Sequence, residues 1–444
     1  MVNARYWRLR AVLYRSLKRE FKQNRKDETQ LRERLDYLFV GVDPHKQQHT
    51  AVVLDFFRKK VGEIQVSNRP FAFPRLVKEV GKHAANGNIK TVIFGLEDTH
   101  NYGRSLAVFL KEQGYLVKEV NSKLSEAKRK SYATVKKSDS WDAECIAVVL
   151  IDEYDRLPIA NPHDHYWAIK QLVSRRTSSM KGLAFSIRKL HAQLQHHYPT
   201  YRQFFSELDG KTALGFFHRF PSPRHLEGVA LDKLTHFLQK LSNNACSTKK
   251  AEQILSLVQT DGQMDNDFQD KRDFIVRCLV KEIRFHKHEI ASCEAEIRPL
   301  MEQLGYQLDT LTGVDLVTAA SLVAEIGDIQ RFATANQLAR FCGIAPIDVG
   351  SGGVVKHKKT SQGNRVLHEL FFQLACRQLA LSRRHKEPRN PIFLAYYHKK
   401  QSEGKTKGQA IVCIMRKLVN IVFKMLKNKT AYTLPPAVPK ENAV

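Results

Sequence analysis

Apolar and polar positions alternate in short runs through the first part of the chain. Tyr37 to Asp43 (YLFVGVD), Thr50 to Phe56 (TAVVLDF) and Glu63 to Ser67 (EIQVS) are rich in β-branched and aromatic residues and are divided by polar or turn residues. That texture predicts a three-strand meander. Helical spacing follows from about Phe73 to Ala84, then a strand at Lys90 to Leu96 (KTVIFGL), a helix from Tyr102 to Gln113, a strand at Tyr115 to Val120, and a helix beginning near Ser138.

The order βββαβαβα is that of the ribonuclease H fold, a mixed sheet flanked by helices. Ahead of it, Tyr6 to Leu35 contains no proline or glycine, and Leu9, Leu13, Leu17 and Phe21 recur every fourth position, which predicts a basic helix with one apolar face. From about Tyr166 to Gln303 the pattern is mostly helical, with long charged segments at Gln171 to His197 and Asp270 to Leu304 that suit a bundle or coiled coil. Beyond Leu311, LTGVDLVTAASLVAEIGDIQRF reads as two short helices joined around glycines, like a helix-hairpin-helix. The expected domains are a basic N-terminal helix (1–36), an α/β domain (37–160), a helical or coiled-coil region (161–305), a mostly helical C-terminal domain (306–430) and a disordered tail (431–444).

Composition narrows the function. A chain of 444 residues with 43% hydrophobic residues exceeds one ordinary domain, and it has no apolar run long enough to span a membrane. No signal-peptide pattern opens it, so a cytoplasmic protein is expected. Seven dispersed cysteines form no CxxC pair, which argues against a zinc site or redox motif. The net charge of +27 favours a polyanionic partner. That charge is polarised: residues 331–430 hold 20 Lys and Arg against 4 acids, and residues 1–26 hold 9 against 1. Nucleic-acid contact is therefore expected at the two ends.

Against this basic background four acids stand out. Asp43 and Glu97 each follow a buried strand, and Asp139 and Asp142 lie three apart at a helix start, on one face. Convergent carboxylates can hold Mg2+, and two ions about 4 Å apart suit phosphoryl transfer. Asp98 competes with Glu97 and Glu144 with Asp142; neighbours on a strand point to opposite faces, so only one of Glu97 and Asp98 can join. His45, His49 and His100 lie near these acids in sequence and read as structural or surface groups.

GVDPHKQQHTAVVLD around Asp43, GLEDTHNYG around Glu97 and KSDSWDAECIA around Asp139 resemble the three acidic motifs of the DEDD transposases, the bacterial insertion-sequence family numbered one hundred and ten. LTGVDLVTAASLVAEIGDIQRFATANQLARFCGIAP, followed by SGGVVKHKKTSQGNRVLHELFFQLA, is similar to that family's second domain. The resemblance implies a RuvC-like first domain and, in the second, a serine nucleophile, here Ser351 between Gly350 and Gly352. Lys356, Lys358, Lys359 and Arg365, with His357, then stand ready to neutralise phosphate. It also implies donor and target DNA, a covalent phosphoserine intermediate, a bridge-type guide RNA, and assembly as a homodimer or homotetramer. Two other readings stay open on residues alone: a resolvase-like nuclease that uses water, and a non-catalytic nucleic-acid-binding scaffold.

Overall fold

The structure, a computed structural model, describes residues 34–97, 101–132, 138–162, 164–262, 267–345, 347–351, 354–358, 363–382 and 387–433. The side chains of 164, 347–351 and 354–358 lie outside that description, as do the expected basic helix over residues 1–33 and the tail from 434. The chain divides into two compact units, Met1–Lys170 with Leu304–Val444, and Gln171–Gln303.

The first unit is built on a five-stranded sheet: β1 (Tyr37–Pro44), β2 (Gln48–Asp55), β3 (Lys60–Ser67), β4 (Thr91–Leu96) and β5 (Leu116–Glu119). Its order is β3-β2-β1-β4-β5. The three strands of the meander pair antiparallel, whereas β1–β4 and β4–β5 are parallel. Central β1 and β2 are buried on both faces and so read as continuous apolar runs, while edge strand β3 alternates over Glu63, Ile64, Gln65 and Val66.

Helices α1 (Phe73–Asn86) and α2 (Arg104–Glu112) cover one face, where Leu38, Val40, Val42 and Val53 meet Phe73, Leu76, Val80, Leu106 and Leu110. The opposite face receives α3 (Ser122–Lys130), which was not expected from the sequence, and α4 (Asp139–Asp152). There Phe39 and Ile93 pack with Ile146, Val149 and Leu150, and Val52 and Leu54 with Ala143 and Ala147. The mixed sheet between helical layers is ribonuclease H-like.

One close approach sets the height of α4 above the sheet. A Cβ on Gly41 would lie 2.2 Å from the Ala143 carbonyl oxygen and 2.3 Å from the Ala147 amide nitrogen, so the helix backbone rests directly on the strand. Gly95 is its register partner on β4, and a Cβ there would press on Leu150 and Val120 at 3.1–3.2 Å. Two adjacent glycines thus form the groove in which α4 lies.

Helix α5 (Asp164–His197) leads into the second unit and α9 (Gln269–Leu304) leads out of it; between them come α6 (Lys211–Arg219), α7 (Leu231–Ser242) and α8 (Thr248–Asp261). The core of this unit is aromatic: Tyr198, Phe204, Phe216 and Phe217 pack with Leu190, Leu194, Val276, Val280 and Ile283. Arg175 pairs with Glu289, Arg176 with Glu294 at 2.7 Å, and Ser186 Oγ donates to Glu282 at 2.9 Å, tying α5 to α9.

Back in the first unit, α10 (Leu316–Ile326) runs into Gly327 in the left-handed region at φ 66°, then a 3-10 turn at Ile329–Arg331 and α11 (Ala335–Phe341). The second full helix of this element therefore starts at Ala335, later than the glycine spacing suggests. A hairpin of β6 (Ile347–Ser351) and β7 (Val354–Lys358) follows, then α12 (Arg365–Leu379), α13 (Pro391–Ser402) and α14 (Lys407–Asn428). Leu338, Leu367, Phe371, Leu374, Ile414, Leu418 and Val422 bury the contacts of α11, α12 and α14. Arg331 is 3% exposed, pairs with Glu119 at the end of β5 at 3.1 Å and lies over the Phe332 and Phe341 rings.

Gly41→Ala is expected to cost about 1–3 kcal/mol, the range for overpacking, because backbone must move. Gly81→Ala, on α1 with open space around it, should be neutral or stabilising by about 1 kcal/mol. Chemical denaturation of both variants checks this; equal midpoints would disprove the seating role of Gly41.

Candidate active site

The site is built by the two-residue period of strands laid side by side. On β1 the residues facing α4 are Phe39, Gly41 and then Asp43; on β4 they are Ile93 and Gly95, and Glu97 continues the same alternation. Because Val42 is in register with Leu96, Asp43 and Glu97 stand next to one another at the strand ends. Asp98 and His100 lie outside the described residues.

Helix α4 adds the other two acids. Ser138 is its N-cap and accepts from the Trp141 amide at 3.2 Å, so Asp139 and Asp142 fall in the first turn, where the helix dipole favours negative charge. Seated on Gly41, that turn lies above Asp43. The structure thus brings Asp43, Glu97, Asp139 and Asp142 together. Glu144 instead reaches Lys60 at 3.8 Å, beside the Lys60–Glu63–Ser140 cluster at the β3 edge.

Three further side chains complete the site. His45 places Nε2 3.1 Å from Asp43 Oδ2 and 3.4 Å from Asp139 Oδ1, so it is part of the site and more than the surface group its sequence position suggests. Arg129 donates to Asp142, and Ser125 Oγ donates to Glu97; both come from α3. Sequence reading missed these two because that helix was not recognised, although Asn121, whose side chain caps it by accepting from the Lys123 amide at 2.9 Å, is a start signal. His49 lies on the other face, fully buried and stacked on Phe73, and burial pushes its pKa down.

Electrostatics mark the cluster as frustrated. Burial pushes the Asp43 carboxyl above its usual range, and Asp142 and Asp139 add to this while His45 opposes it. Burial also raises Glu97, with the Ser125 hydrogen bond opposing and the Asp43 charge adding. Neighbouring negative charges that resist ionisation are what a cation would relieve. Asp43, His45 and Asp139 each offer one ligand atom within 4.8 Å of the others, and Glu97 and Asp142 lie alongside. A donor set dominated by carboxylate oxygens fits a hard divalent cation.

The remaining expected residues belong to the C-terminal part of the same unit. Ser351 is the last residue of β6, paired with Val354, so it closes a strand where the glycine-flanked sequence suggested a loop. The hairpin departs and returns at one point, since a Cβ on Gly363 would lie 2.5 Å from the Gly343 amide nitrogen. Asn364 caps α12 by accepting from the Leu367 amide at 3.0 Å and donates to Glu325 at 2.7 Å. Lys356 and Lys358 are on β7, Arg365 is the exposed first residue of α12, and Lys359 lies outside the described residues.

A folded carboxyl with a raised pKa gains stability from its proton, so Asp43 and Glu97 make the cation-free protein less stable as pH rises through their raised values. Asp43→Asn should therefore raise the thermal midpoint near neutral pH without divalent cation and abolish most of the stabilisation that magnesium gives the unsubstituted protein. Equal magnesium stabilisation of the two would exclude Asp43 as a ligand.

Comparison with known proteins places this geometry. A DEDD transposase model of the IS110 type, described as transposase, matches residues 40–199, and one described as transposase IS116/IS110/IS902 family matches residues 305–398. The insertion element IS116 uncharacterized 44.8 kDa protein of Streptomyces clavuligerus is 23% identical over 91% of this chain and 98% of its own. The insertion element IS110 uncharacterized 43.6 kDa protein of Streptomyces coelicolor is 24% identical over 89% and 95%. The pilin gene-inverting protein of Moraxella lacunata is 30% identical over 34% of this chain and 47% of its own. With both family models matched in order across more than half of its length, the chain belongs to the IS110/IS116 family of insertion-sequence transposases.

Proposed function

We propose that the protein cuts and rejoins DNA strands of a mobile element with the carboxylates Asp43, Glu97, Asp139 and Asp142 and the nucleophile Ser351. The observation that carries the reading is the convergence of those four acids at one end of the sheet, in a chain that matches transposase models in both of its conserved parts. In a protein of net charge +27, a concentrated negative site makes sense where a cation must hold phosphate. Magnesium, when bound there, would neutralise phosphate charge and lower the barrier to attack.

In the reaction envisaged, Ser351 Oγ loses its proton and attacks a strand phosphorus. The bond to the departing strand breaks, and that strand leaves with a free hydroxyl. A second strand's hydroxyl then attacks the phosphoserine, restoring Ser351 and joining the new pair of ends. The phosphodiester energy is retained, so no nucleotide cofactor is required. Inversion of a gene, for which the Moraxella lacunata relative is named, also rejoins as many ends as it cuts.

Lys356, Lys358, Lys359 and Arg365 would hold the backbone near Ser351. A bridge-type guide RNA would select donor and target DNA by base pairing, leaving the protein to read shape and charge. A homodimer or homotetramer would let Ser351 of one protomer act beside the acids of another. The domains assigned to these tasks are 37–160 for the carboxylates, 161–305 for spacing or pairing, and 306–430 for the serine.

Ser351→Ala should abolish covalent protein–DNA adducts, seen on denaturing gels, while DNA binding persists. Persistent adduct excludes Ser351, and free cleaved ends without adduct in the unsubstituted protein would favour a water-using nuclease. Asp43→Asn should remove magnesium-dependent strand exchange; full activity in that variant would favour a scaffold without chemistry. Replacing Lys356 and Lys358 with Gln should weaken duplex binding and flatten its salt dependence by about 0.9 in log–log slope for each phosphate no longer neutralised.

A further inference from the structure

The middle of the chain looks electrostatically quiet, since residues 171–303 hold 20 Lys and Arg against 15 Asp and Glu. In space the two signs are distributed unevenly over α9. The acids Glu282, Glu289 and Glu294 of α9 are engaged by α5 residues Ser186, Arg175 and Arg176. Asp273 is fully buried and held by Arg224 at 2.7 Å and by the Gln269 amide, which donates at 2.8 Å. Four of the 15 acids are thus engaged inside the unit, together with three of its 20 cations.

The cations on another face of α9 are left over. Arg277, Lys281 and Arg284 recur at i, i+4 and i+7 and so form one stripe, with steps of about 6 and 4.5 Å along the axis. Arg219, exposed in the last turn of α6, lies beside them: Arg277 donates to the His218 carbonyl and contacts His225 Nε2 at 2.9 Å. Among the described residues, Arg219, Arg277, Lys281 and Arg284 make no ion pair with a carboxylate. Their field is felt locally, since burial and then Arg284, Lys281 and Arg277 push the His218 imidazole below its usual pKa. Next to the stripe, Phe274 and Phe285 are 64% and 52% exposed. Cations with no carboxylate partner repel one another and exposed phenyl rings prefer cover; a phosphate chain bearing unstacked bases satisfies both.

We infer that this face of the second unit, built on Arg219, Arg277, Lys281, Arg284 and the two phenylalanines, is a binding site for single-stranded nucleic acid. The cations track the phosphates and the rings stack on bases, so the site tolerates many sequences. Its residues are distinct in sequence from the basic chain ends, and it stands whether or not Ser351 is the nucleophile.

The test uses the full chain with fluorescein-labelled oligouridine and oligodeoxythymidine of about 20 nucleotides, a length that spans several such contacts. With Arg219→Gln, Lys281→Gln and Arg284→Gln combined, the log–log salt slope should fall by about 2, at about 0.7 per neutralised phosphate of a single strand. Lys281→Arg with Arg284→Lys should retain it, which separates removal of charge from failure to fold. Phe285→Ala should weaken single-strand binding about tenfold relative to duplex. Ultraviolet cross-links in the unsubstituted protein should map to residues 271–288. An unchanged slope, cross-links confined outside 171–303, or a change of molecular mass in light scattering without a change of slope would overturn the assignment, the last by making this a contact between copies. A stronger response with oligouridine than with oligodeoxythymidine identifies RNA as the source of the strand, and the reverse identifies DNA. The salt slope is read without divalent cation, so failure of the catalytic reading leaves this result intact.

Discussion

Helix α4 can bring two carboxylates over Asp43 only because nothing projects from the strand beneath it. Gly41 and Gly95, adjacent in parallel register, remove the side chains that would hold the helix off, and Ala143 and Ala147 keep the helix side equally slim. Contact between backbone and backbone is unforgiving, since neither partner can change rotamer to relieve a clash. The direction of α4, its N-terminal turn, and hence Asp139 and Asp142, follow from that seat. An interior fit of a few ångströms thus sets the geometry of a surface site.

The site so assembled carries internal opposition. Asp43 and Glu97 are pushed toward their neutral forms by burial and by neighbouring carboxylates, yet His45 beside Asp43, Ser125 beside Glu97 and Arg129 favour the charged forms of these two acids. Arg129, His45 and the Ser125 hydroxyl offset part of the cost of clustering the acids. His45 is half exposed and sits between Asp43 and Asp139, the place of strongest demand for positive charge.

Much of the first domain was legible because strands buried on both faces leave uninterrupted apolar runs, and because β1 and β4 end on acids. Period-two reasoning required a choice between Glu97 and Asp98, and the pattern Ile93, Gly95, Glu97 on the α4 side supplies it. Helix α3 was illegible for a physical reason: SKLSEAKRK is mostly charged, with Ser125 its only buried residue, so periodicity had no apolar stripe to report. Its two contributions to the site, Ser125 and Arg129, were hidden with it. The β6–β7 hairpin was obscured differently, as glycines on both sides of Ser351 signal a turn, whereas pairing with Val354 makes that serine a strand end.

The pinch between Gly343 and Gly363 has a consequence for how this scaffold can change. Both ends of the hairpin excursion leave from one spot, and Asn364 restarts the helix at once with its cap bonded to Glu325. Residues inserted or removed between the two glycines alter loop-closure entropy only logarithmically and need not shift α11 or α12. The segment bearing Ser351 is in this respect a cassette. Its length and tip can diversify while the helices on either side keep their places, so reach toward a substrate is a property that can be tuned apart from stability.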